Sequence, residues 1–108
     1  MKYCVMHNLR VETPAKRDKL DGEVKAWIGK KKVWGEASIS SSQDEEGYQI
    51  HSLEIRFERK VNMDDLFTLI KDKVEKIPVL KGTLTKHNCT HDEATPQPCE
   101  IIEEYSKG

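Results

Sequence analysis

The 108-residue chain is poor in cysteine, has no long apolar run and shows no excess of charge of either sign. Its three cysteines, Cys4, Cys89 and Cys99, are too few for a disulfide scaffold, and an odd number leaves room for at most one internal pair. The longest uninterrupted apolar stretch is Ile77-Pro78-Val79-Leu80, against the roughly twenty residues that a membrane-spanning helix needs. The N-terminal residues alternate polar and apolar and lack the apolar core of a signal peptide, so the expectation is a cytoplasmic, reducing setting without membrane partners. Eighteen Lys and Arg stand against nineteen Asp and Glu, net −1, which argues against a dedicated nucleic-acid binder. No C-x-x-C, H-E-x-x-H, Walker or G-x-G-x-x-G motif occurs, so no reaction can be named.

Charged residues make up 34% and hydrophobic residues 36%, and the apolar positions are patterned, which together predict one folded domain over residues 1–108. Residues 3–12 place Tyr3, Val5, His7, Leu9 and Val11 on one face, the period of two of a half-buried strand. Thr13-Pro14 supplies a helix cap and a first-turn proline. Leu20, Val24, Trp27 and Ile28 then repeat at helical spacing up to Gly29. Gly22 costs about 1 kcal/mol relative to alanine, which leaves the stretch before Asp21 open to a loop reading. Val33–Ser40 and Tyr48–Val61 both alternate and flank a polar turn at 41–47, predicting a hairpin. Asn62 is the expected cap of a second helix with the stripe Met63, Leu66, Phe67, Ile70, Val74 and Ile77, stopped by Pro78. A strand over 79–89 and an additional one over 99–106 complete the chain.

The order strand, helix, strand, strand, helix, strand predicts an α+β fold of the ferredoxin-like βαββαβ kind. Four antiparallel strands would carry two helices on one face, with an extra C-terminal strand as an option.

The chemistry concentrates near the C-terminus. His87, Cys89 and His91 follow at i, i+2, i+4, on one face if the strand is extended, and Cys99 comes eight positions later in H-x-C-x-H-x7-C. Imidazole and thiolate are zinc ligands, and two of each make a tetrahedral set, although the spacing matches no standard finger. The expected fold sets its last strand beside the first, which would bring Cys4 to the same end as a further ligand. The competing readings are uncoordinated side chains, with cysteine acting as a small hydrophobe, and a Cys89–Cys99 disulfide.

The leading expectation is thus a small zinc-binding domain with a structural or metal-handling role. A non-enzymatic protein- or ligand-binding module that dimerises through the open sheet face is the alternative, with Met6, Trp34 and Ile50 as face candidates. A single-stranded RNA binder is third, resting on Lys30–Lys32 between Trp27 and Trp34. His7 and His51 fall on core-facing rows and read as satisfied buried histidines.

Overall fold

Alternation in the first strand sets the frame. In the computed structural model, which describes residues 3–29, 35–89 and 100–108, β1 (Tyr3–Val11) turns Val5, His7, Leu9 and Val11 into the core. Cys4, Met6, Asn8 and Arg10 project from its other face. The remaining elements are α1 (Pro14–Ile28), β2 (Gly35–Gln43), β3 (Gln49–Phe57), α2 (Lys60–Lys76), β4 (Lys81–Asn88) and β5 (Glu100–Lys107). The strands form one antiparallel sheet in the order β2-β3-β1-β4-β5, five strands rather than four.

Both helices lie on one face. Leu20, Val24 and Ile28 of α1 and Met63, Leu66, Phe67, Ile70 and Val74 of α2 join Val5, Leu9, Leu53, Ile55, Phe57 and Leu84 in a single core. Removing this apolar area from water is the main stabilising term, worth about 1.5–3 kcal/mol for each large side chain fully buried. No helix among the described residues is long and apolar enough to cross a membrane.

Local signals explain most of the boundaries. Thr13 caps α1, its Oγ1 accepting from Lys16 N at 3.2 Å, and the helix runs unbroken through Gly22. Packing of Leu20 on the core outweighs the glycine's local cost, so the stretch before Asp21 is helix and not loop. The hairpin turn is tighter than the polar stretch suggests. β2 extends to Gln43, and Asp44 Oδ1 accepts from Glu46 N and Tyr48 N, both at 3.0 Å, with Gly47 at φ 91° closing the turn.

The second helix begins at Lys60, two residues before the expected cap Asn62, and Arg59 in the cap position makes no side-chain cap bond. β3 correspondingly ends at Phe57 instead of Val61, because Met63 must reach the core from the first turn of α2. At the other end, Lys107 of β5 donates to the carbonyls of Val74, Glu75 and Ile77 at 2.9, 3.3 and 2.5 Å. That ammonium satisfies the orphan carbonyls and the negative dipole end of α2, and it ties the fifth strand to the helix layer.

Candidate functional site

Of the predicted His and Cys cluster, the described residues place Cys4 beside His87. Cys4 on β1 lies directly opposite His87 on β4, and Tyr3 lies opposite Asn88, so the two strands meet as the topology requires. The row Thr83, Thr85, His87 shares the helix-free face with Cys4. His87 Nε2 bonds Thr85 Oγ1 at 2.6 Å. On β5 the pairing slips between Lys86 and His87, a bulge that sets Ile101 opposite His87.

Cys4 is 4% exposed, and its thiol points at Glu54 Oε1, 3.7 Å away. Burial first, then the Glu54 carboxylate, pushes that thiol up to about 12, so unaided it does not supply a thiolate. Cys89 is disulfide-bonded while Cys4 is a free cysteine. A sulfur in a disulfide is not a thiolate ligand, so the zinc set requires the reduced chain. His91 and Cys99 lie outside the described residues, as do Lys30–Lys32 and Trp34. Among the described residues no group of three or more His, Cys, Asp or Glu is placed to hold a metal ion.

A different constellation is fully built. In the β1–β3 ladder Leu9 faces His51 and His7 faces Leu53, which makes His7 and His51 diagonal neighbours on the helix-covered face. Their rings lie 5.2 Å apart and tilted by 46°, with His7 Nε2 2.9 Å from His51 Nδ1. His51 Nε2 is 3.0 Å from Asp21 Oδ1 on α1, and Asp21 Oδ2 pairs with Lys25 at 2.7 Å. The two histidines are 1% and 0% exposed, whereas Asp21 is about a quarter exposed. A line of hydrogen bonds therefore runs from the core to the surface.

The direction of the line follows from the inventory of donors. Lys25 first, then His51, holds the Asp21 carboxyl below its usual range, so it only accepts and His51 Nε2–H must donate to it. A singly protonated His51 then presents a bare Nδ1, which accepts from His7 Nε2–H. His7 Nδ1 is left with a lone pair and no partner. Burial, reinforced by His51, lowers His7 to about 3, which keeps that ring neutral. An unpaired acceptor is the cheapest way to leave one position of the chain unfilled, since a buried N–H without a partner costs more.

The outer end opens into a cleft of about 380 Å³. Asp18, Asp21 and Lys25 of α1 form one wall, and Ala37, Ile39 and Ser41 of β2 form the floor. It exists because β2 is the edge strand beyond the reach of α1: of its side chains from Glu36 to Gln43, only Ile39 is part-buried.

Comparison with known proteins adds little. No family model matches the chain, and no curated protein matches it. Among solved structures it is similar to PelD residues 156–455 from Pseudomonas aeruginosa PA14 in complex with c-di-GMP, at 11% identity and a TM-score of 0.42. That alignment covers 86% of this chain and 35% of the other.

Sequence reasoning placed both histidines on core-facing rows and missed that they bond each other. The legible signal was two imidazoles on the buried faces of two strands, with an acid beside the apolar stripe of the intervening helix.

Proposed function

We propose that the chain is a non-enzymatic binding module that takes a small, donor-rich ligand such as an amine in the cleft between α1 and β2. The observation that carries this reading is the His7–His51–Asp21 line: two desolvated imidazoles are held behind one partly exposed carboxylate at the cleft wall. Such a back-braced acceptor is fixed in orientation, and a concave site with a few fixed polar groups and perturbed titration is where ligands bind. Asp18 is paired with Arg17 and Asp21 with Lys25, so what the wall offers a donor-rich guest is the remaining acceptor lone pairs of the two carboxylates. The scaffold fits a ferredoxin-like reading, its order β2-β3-β1-β4 extended at one edge by β5.

Titration with ethanolamine, followed by amide NMR, is expected to shift Asp21, Lys25 and Ser41 together. Acetate should not do so, and Asp21→Asn should abolish the response. Shifts scattered over the surface, or equal for both probes, would remove the cleft as the site.

A second reading retains a zinc site in the reduced chain, with His87, Cys89, His91, Cys99 and Cys4 as ligand candidates and a structural or metal-handling role. Its support is the direct opposition of Cys4 and His87 across β1 and β4. Reduced protein purified without chelator is then expected to carry about one zinc per chain by elemental analysis, and Cys89→Ser should lose it. A metal-free wild type ends that reading.

A further inference from the structure

The two outer strands of the sheet differ in the one property that governs whether an edge stays unpaired. A free edge presents a row of backbone donors and acceptors, and natural sheets blunt it with charge, proline or bulges. β5 follows that practice: it carries Glu100, Glu103, Glu104 and Lys107 and is bulged beside His87. β2, with the sequence Gly-Glu-Ala-Ser-Ile-Ser-Ser-Ser-Gln, has a single charge, Glu36, no proline and an unbroken register to β3.

β2 is also self-complementary. In an antiparallel pairing of two copies centred on Ile39, Gly35 meets Gln43, Glu36 meets Ser42, Ala37 meets Ser41, Ser38 meets Ser40, and Ile39 meets its own copy. No like charges oppose one another. The part-buried apolar side chain of the strand lands on the dyad, on the helix side, where each copy covers the other's Ile39. The same symmetric pairing of β5, end to end, would set Glu103 against Glu104 twice, and the Glu100–Lys107 pairs that would offset this repulsion need the ammonium that already binds the carbonyls at the end of α2.

We propose that the partner of this edge is a second copy of the chain, joined β2 to β2 about Ile39 into one ten-stranded sheet. The floor residues Ala37, Ile39 and Ser41 then run continuously across the dyad, so the two clefts open side by side on the same face. This pairing rests on the edge alone and stands whether or not the cleft binds an amine.

Sedimentation of the full chain over a concentration series tests it. The wild type is expected to reach twice the monomer mass, and S38K/S40K, whose lysines would face each other across the dyad from the solvent side, is expected to stay at monomer mass. Mixing that variant with S38E/S40E should restore the doubled mass, because each Lys would then meet a Glu. Circular dichroism checks that both variants fold. If either does not, I39C in the otherwise unchanged sequence should form a disulfide-linked dimer under mild oxidation. A wild type that stays monomeric overturns the proposal. So does a dimer untouched by the lysines, a mixture that stays monomeric, a folded I39C that does not cross-link, or an open-ended polymer from β2-to-β5 addition.

Discussion

Replacing His51 by leucine is expected to cost about 2–4 kcal/mol, more than a surface change and more than its nearly equal volume implies. The substitution leaves His7 Nε2–H buried without an acceptor, and a stranded buried donor alone costs about 1–3 kcal/mol. Asp21 also loses a donor, at smaller cost because it is partly exposed and keeps Lys25. Replacing both histidines by leucine removes donor and acceptor together, so the double variant is expected to be more stable than the sum of the single losses predicts. Denaturant unfolding of the wild type, H7L, H51L and H7L/H51L gives the coupling, expected at about 1–3 kcal/mol. Additive single losses would mean that the His7–His51 bond contributes nothing.

The second large effect is acid weakening of the fold. His7 titrates near 3 when folded and at about 6.5 when unfolded, so between those values the unfolded chain holds a proton that the folded one excludes. It costs the fold nothing above pH 6.5, and below that stability falls by about 1.4 kcal/mol per unit, a loss of about 2.7 kcal/mol by pH 4.5. Asp21 has the ordinary carboxylate sign: its folded value is lowered, so its stabilisation holds above its unfolded value of about 3.8 and is lost only below that. The two windows are therefore separable. Comparing unfolding free energies at pH 7 and 4.5, the wild type should lose markedly more than H7L, which has no imidazole at position 7 to protonate. Equal losses would show that His7 is not kept neutral by the fold.

The order of elements was legible because periodicity alone encodes it. Thr13-Pro14 opened α1, the stripe from Met63 to Val74 wrote α2, and alternation marked β1 and β3. Boundaries failed where a tertiary demand overrode a local signal: Asn62 is a better cap than Arg59, yet the core needed Met63 inside the first turn. The site failed differently. The cluster at residues 87–99 is visible in the sequence because its ligand types lie close together along the chain. The His7–His51–Asp21 line is spread over three elements, and its register depends on how β1 meets β3. A sequence states which face a residue occupies and does not state which diagonal neighbour it will touch.

Finally, β1 is the middle strand of five, and its neighbours arrive late: Cys4 pairs with Arg56 on one side and His87 on the other. Closing loops of that length before any contact repays them slows folding, as it does for topologies dominated by distant pairing. Cys4 sits on that central strand with its side chain covered. Its thiol lies on the helix-free face against the Glu54 side chain, so the rate at which an alkylating reagent labels it under native conditions reads how often that local cover lifts.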